Sequence, residues 1–188
     1  MARLIHINGL SRVGKSTLAR RYADEHPGTL ALDLDVLTGL IGGWKENFFG
    51  ALEIARGHGR DMAARHLRDG HDVILPQLVT VHDRDPDPAF EAVALATGAT
   101  YVEVALLVDD HEHLQRLHGK RPANDVEAQL QMLLDDPGSD LLDRIQGHFV
   151  EYLAERPHAI RLDTTGIGVD ESYTRFLSVL DVAQQRTL

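Results

Sequence analysis

The residues with the clearest chemistry stand near the start of the chain. From position 9 to 16 the sequence reads Gly-Leu-Ser-Arg-Val-Gly-Lys-Ser, the phosphate-loop spacing of glycine, four residues, glycine, lysine and a hydroxyl residue. Gly9 and Gly14 let the backbone curl until successive N–H groups, those of Arg12 and Val13 among them, face one anion. Lys15 adds a mobile positive charge, and the Ser16 hydroxyl is an oxygen ligand suited to Mg²⁺. The helix expected from Lys15 to about His26, with Thr17 in its first turn, turns its positive dipole end to the same anion. A chain of this composition yields only ~0.002 chance matches to the pattern. The implied ligand is a nucleoside triphosphate, ATP or another NTP, with Mg²⁺.

Two carboxylates follow. The run 29–34 reads as a strand, which places Asp33 and Asp35 at its C-terminal end, where parallel α/β sheets form their ligand crevices. Residues two apart in an extended chain share a side, so both acids are expected to face the phosphate loop. One would hold the metal's water shell and the other would take the proton of an attacking hydroxyl.

The elements that must position these groups are legible as alternating strand and helix. Apolar runs of strand length at 4–7, 29–34, 72–75, 101–108 and 159–163 are separated by helical patterns, as in a parallel sheet covered on both faces. Gly28 and Gly70 stand just past two helical stretches, Asn124 with Glu127 resembles a capping box, Asp136 before Pro137 is expected to start a helix, and Asp170 to cap the last one. Phe176, Leu177, Leu180 and Ala183 fall on one helical face. The stretch His82 to Pro88 is the most loop-like and too short to separate domains, so one domain over 1–188 is expected.

Composition narrows the function. The chain has 188 residues, 43% hydrophobic and 26% charged, with no cysteine and a formal net charge of −10. These values exclude disulfide frameworks, thiolate metal sites and cysteine nucleophiles. The acidic field disfavours nucleic acid, and no apolar stretch reaches the ~18 residues of a membrane span. The expectation is a cytoplasmic monomer or homodimer with a small-molecule partner and neither nucleic acid nor membrane.

A phosphate loop opening the chain, an Asp-x-Asp after the second strand and a short basic segment after the fourth together resemble the small P-loop kinases: shikimate kinase, gluconate kinase, the nucleoside monophosphate kinases, chloramphenicol phosphotransferase and the tunicamycin-resistance ATP-binding proteins. The resemblance implies an α/β fold of three layers, with a five-stranded parallel sheet in the order 2-3-1-4-5. It also implies that Asp33 helps to hold magnesium and that Asp35 contacts the acceptor hydroxyl as the base. One departure stands out, because the third strand ends in Pro76-Gln77 with no acid at its tip. Metal holding then rests on Ser16 and Asp33, and Gln77 is a candidate contact for the acceptor or a metal-bound water.

The segment 109–125 is expected to act as the lid, with Arg116 and Arg121 delivering guanidinium charge to the transferring phosphoryl group. His111, His113 and His118 lack the spacing of a zinc helix and read as ordinary histidines. After the fifth strand, the turn around Thr165 is where the similar kinases hold adenine through backbone contacts. Region 36–69 is where they build the acceptor site; there Trp44 and Phe48 would supply an apolar wall, and Arg56 or Arg60 would clamp an anionic acceptor.

The leading expectation is a Mg²⁺-dependent phosphotransferase moving the ATP γ-phosphoryl group to a hydroxyl of a small molecule such as a natural product, antibiotic or nucleoside. A nucleoside monophosphate kinase and a nucleotide-binding module without an acceptor are the alternatives. A guanine-specific switch lacks its Asn-Lys-x-Asp motif, since the lysines are Lys15, Lys45 and Lys120.

Overall fold

A computed structural model describes residues 1–81, 89–119 and 121–185; the loop expected over 82–88 and Lys120 lie outside the described residues. The elements run β1 (Arg3–Asn8), α1 (Lys15–Glu25), β2 (Leu30–Ala31), α2 (Leu34–Thr38), α3 (Phe48–Arg68), β3 (Val73–Pro76), α4 (Ala89–Ala96), β4 (Thr100–Leu107), α5 (Asp110–Gly119), α6 (Asp125–Leu134), α7 (Leu141–Ala154), β5 (Ile160–Asp163) and α8 (Val169–Gln185). The five strands form one sheet in the order β2-β3-β1-β4-β5, with every pairing parallel.

The alternation of side chains along β1 sorts the core into two layers. Ile5 and Ile7 face α1 and α8, packing with Leu18, Tyr22 and Phe176. Leu4 faces the other way, with Leu34, Ala63 and Phe90 around α3 and α4. On that second face α7 lays Phe149, Tyr152 and Leu153 over the sheet.

Three polar residues interrupt the same face. His6 pairs in register with Glu103, and Asn8 with Ala105. Glu103 accepts hydrogen bonds from the Asn8 amide at 3.0 Å, the Tyr152 hydroxyl at 3.0 Å and Arg156 at 3.1 Å. Arg156 also reaches Glu91 at 2.7 Å. The buried carboxylate is thus compensated by three donors, as a charge removed from water requires. His6 Nε2 donates to the Gln77 carbonyl at 2.8 Å, which leaves Nδ1 to accept from the Tyr101 hydroxyl at 2.8 Å. Burial holds this imidazole neutral by lowering its pKa.

Several sequence expectations shift. β2 is two residues long rather than six, because the Asp33 side chain accepts the Asp35 N–H at 3.1 Å and turns the chain into α2. Asp136 accepts the Gly138 N–H in a turn, and the helix starts later, at Leu141. Asp170 lies inside the first turn of α8, where it meets Arg21 at 2.7 Å. Asn124 caps α6 as expected, accepting the Glu127 N–H at 2.8 Å. Among the described residues no helix is long and apolar enough to cross a membrane.

Candidate active site

The loop between β1 and α1 is folded as an anion cradle. Gly9 has φ +146°, and a Cβ there would lie 2.8 Å from the Leu106 carbonyl oxygen, so no larger residue fits. Gly14, at φ +107°, is the N-cap of α1 and supplies no side-chain cap. The first amides of the helix are therefore open to an anion. Arg12 is the only non-glycine residue with positive φ, at 66°, among the described residues.

The cradle is fastened from outside. Asn8 Oδ1 accepts the Gly9 N–H at 2.8 Å and the Val79 N–H at 2.9 Å. His113 Nε2 donates to the Ser11 carbonyl at 3.0 Å, and its Nδ1 accepts from Gln146 at 3.2 Å. The Arg12 guanidinium donates to Gln131 at 3.1 Å and to the Arg121 carbonyl at 3.2 Å, and stands 3.5 Å from Glu127. A phosphate-loop side chain thereby tethers α6.

Lys15 Nζ donates to the carbonyls of Gly9 at 2.8 Å and Leu10 at 2.7 Å. Burial lowers its pKa to about 8, against the opposing pull of Asp35 and Asp33. The Ser16 hydroxyl makes no hydrogen bond among the described residues.

Asp35 sits in the first turn of α2. Burial, reinforced by the negative charge of Asp33, raises its pKa to about 6, with Lys15 opposing. Its carboxylate accepts no hydrogen bond among the described residues. Asp33 stands differently, since one of its oxygens caps the turn and the other lies 3.7 Å from Arg20. The two acids are thus brought together by a helix turn and not by the shared side of a strand.

Two cavities meet at the phosphate loop and share Arg12, Gly14 and Thr17. The first, of about 890 Å³, contains Lys15, Ser16 and Asp35 and extends past Gln77, Phe48 and Arg56, with Arg121 on its rim. The second, of about 710 Å³, runs from Val13 past Arg116 to Thr164 and the backbone of Gly166 to Gly168.

The expected site residues divide between these spaces. Arg116 belongs to the second cavity, where it donates to the Thr164 carbonyl at 2.7 Å and pairs with Glu112 at 2.6 Å. Thr165 lines neither cavity, because its hydroxyl is taken by the Asp109 N–H at 2.9 Å. Trp44 lines neither; it lies in the turn before α3 with Lys45 over its ring at 5.3 Å. Asp33 also lies off the linings, its carboxylate engaged as described, and Arg60 is not on the first cavity. His113, which the spacing argument left as ordinary, is a structural support for the phosphate loop.

Sequence reasoning missed one whole wall. Leu141, Arg144, Ile145 and His148 of α7 line the first cavity, at the i, i+3, i+4, i+7 spacing of a single helix face. That spacing was visible, but with polar and apolar residues mixed it carried no amphipathic signal.

Comparison with known proteins agrees with this architecture. The model of a family described as AAA domain matches residues 4–135. No curated protein matches the chain. Among solved structures, thymidylate kinase from Candida albicans superposes with a TM-score of 0.57 at 15% identity, over 97% of this chain and 92% of that one. The tunicamycin resistance protein from Deinococcus radiodurans gives 0.58 at 17% identity, over 96% of both chains. Shikimate kinase from Bacteroides thetaiotaomicron gives 0.53 at 17%, over 96% of this chain and 98% of that one. At these identities the likeness is one of fold.

Proposed function

Because the chain belongs to the AAA-domain family and has the fold of the small P-loop kinases, we propose that it transfers the γ-phosphoryl group of ATP to a hydroxyl of a small molecule. The observation that carries this reading is the pair of cavities joined at the phosphate loop. A nucleotide-binding module with no acceptor needs only the second cavity and the loop. A kinase needs a separate space beside the terminal phosphate, and the first cavity, which holds Asp35 with its pKa raised to about 6, supports that reading.

The residues take their roles from their placement. The second cavity holds the nucleoside, with Arg116 fixing the β5–α8 turn through Thr164. The phosphate-loop amides and Lys15 hold the triphosphate. Ser16 is the residue that would ligate Mg²⁺, and Asp33, whose carboxylate caps α2 and faces Arg20, would serve its water shell on leaving Arg20. Magnesium, when bound, neutralises charge on the transferring group. Asp35 accepts the proton of the acceptor hydroxyl; the hydroxyl oxygen bonds to the γ-phosphorus, the bridging P–O bond breaks and ADP leaves. A base with a pKa of about 6 is mostly ionised at pH 7 yet still basic enough to take a proton in the transition state.

A nucleoside monophosphate kinase would need a cation for the acceptor's phosphate. Arg56 is the candidate on α3, and Glu53 already stands 3.4 Å from it, so we favour an alcohol acceptor. The test is incubation with Mg²⁺-ATP and a panel of nucleosides, sugars, shikimate-like acids and hydroxylated antibiotics, scored by mass for gain of one phosphate, with Lys15→Ala as the blank. Release of inorganic phosphate alone across the panel would overturn the reading.

A further inference from the structure

The first cavity has two walls drawn from distant parts of the chain. One is the start of α3, where Phe48 is buried and Phe49 is 57% exposed, their rings meeting edge to face at 5.4 Å. An exposed phenylalanine held beside a buried one and opening on a cavity is apolar surface left available to a ligand. The other wall is the face of α7, on which Leu141 and Ile145 stand one turn apart. The second half of α7 cannot shift freely, because Phe149, Tyr152 and Leu153 pack on the sheet and Tyr152 is bonded to Glu103. Gln146 ties the same helix through His113 to the Ser11 carbonyl of the phosphate loop. The α7 wall is therefore tied to the phosphate loop.

Among the described residues, the charges beside these walls are paired except at Arg121, which the lid reading assigns to the transferring phosphoryl group. Arg20 faces Asp33 at 3.7 Å, Arg56 faces Glu53 at 3.4 Å, and Arg144 faces Asp140 at 3.3 Å. A site for a phosphorylated or polyanionic acceptor would leave guanidinium groups unmatched and aimed inward. The cavity of about 890 Å³ also takes in Lys15 and Ser16, so the triphosphate end occupies part of it and the walls of α3 and α7 bound the remainder.

We propose that the acceptor is a bulky alcohol without a phosphate group, whose apolar ring system is held between Phe48 and Phe49 of α3 and Leu141 and Ile145 of α7. This rests on the phosphotransferase reading and adds the acceptor class and the α7 wall as its specificity determinant. Hydroxyl selection follows from geometry, since only a hydroxyl on the edge of the ring system nearest the phosphate loop meets Asp35.

Three acceptor groups separate the possibilities: a macrolide, a hydroxysteroid and a hydroxyflavanone; glycerol, gluconate and shikimate; thymidine and thymidylate. Each is incubated with Mg²⁺-ATP and wild type, Ile145→Asp, Ile145→Ala or Phe49→Ser. The rise in Tm on adding nucleotide shows that each variant is folded. The expected result is phosphate on at least one member of the first group, with kcat/KM reduced about tenfold or more in Ile145→Asp and Phe49→Ser and by less in Ile145→Ala. Transfer confined to the compact or nucleoside groups overturns the inference and leaves phosphotransfer standing. So does transfer to the bulky group that the variants leave unchanged. Transfer to none, with inorganic phosphate released throughout, overturns both.

Discussion

Asp33 accepts the backbone N–H of Asp35 at 3.1 Å, so one acid holds the helix turn that presents the other. The arrangement places the Asp33 carboxylate beside Asp35, and burial together with that charge raises the Asp35 pKa to about 6. Asparagine caps a helix as well as aspartate does. Asp33→Asn should therefore leave Tm nearly unchanged while moving the acid limb of the kcat/KM profile to lower pH. An unmoved limb would mean that Asp33 does not tune the base.

Asp35→Asn should retain nucleotide binding and lose phosphoryl transfer by ~10² or more. The same variant has a stability signature. The folded protein holds this carboxyl at a pKa of about 6, above the ordinary 3.8, so it binds the proton more tightly than the unfolded chain does. Stability from this group is present below pH 4 and is lost as pH rises through 6, by at most about 3 kcal/mol. Asp35→Asn should consequently raise Tm relative to wild type at pH 8 and not at pH 4. Equal Tm differences at both values would refute the buried-acid description.

Lys15→Met should abolish the rise in Tm that nucleotide gives wild type, a rise worth ~2.7 kcal/mol at one hundred times Kd. The free variant should be no less stable at pH 7. Burial holds the Lys15 pKa near 8, below the ordinary 10.5, so the charged form costs stability that increases as pH falls through that interval. Thermal melts with and without Mg²⁺-ATP check both statements.

Gly9→Ala should be the most disruptive small change in the phosphate loop. The added methyl would stand 2.8 Å from the Leu106 carbonyl oxygen, at a φ of +146° that L-residues rarely adopt. A loss of ~1–3 kcal/mol together with loss of nucleotide binding is expected, both read from melts. Near-native stability would mean that the loop tolerates another backbone path.

Arg116→Ala should raise the KM for ATP about tenfold or more with a smaller effect on kcat. Its bonds to Thr164 and Glu112 hold the turn that lines the nucleoside cavity, and hydrogen bonds made by a charged group contribute ~1.5–3 kcal/mol. A fall in kcat alone would return Arg116 to the role of a phosphate-contacting lid residue.

The fold was legible because its signals are local and repeated. Strand-length apolar runs, the phosphate loop and the glycines after helices each depend on neighbours within a few residues; the strand order, which is the observed one, was implied by the resemblance to the small P-loop kinases. The site was legible where a motif carried it. Lys15, Ser16 and Asp35 line one cavity, although Asp33 and Asp35 meet through a capped helix turn that the apolar run 29–34 disguised as strand. What remained hidden depends on contacts between distant segments. Nothing near Glu103 predicts that Asn8, Tyr152 and Arg156 will neutralise it. Thr165 looked like a nucleotide contact until Asp109, 56 positions away, occupied it, and the α7 wall follows only from the way α7 crosses the sheet.

Phosphorus NMR of the protein with Mg²⁺-ATP and a mixture of bulky alcohols tests the central claim most directly, because it separates phosphate carried to an acceptor from phosphate lost to water. The account predicts a new phosphomonoester resonance growing as ATP declines, absent with Lys15→Met and strongly slowed with Asp35→Asn. Growth of the inorganic phosphate resonance alone, at the same rate in wild type and Asp35→Asn, would contradict it.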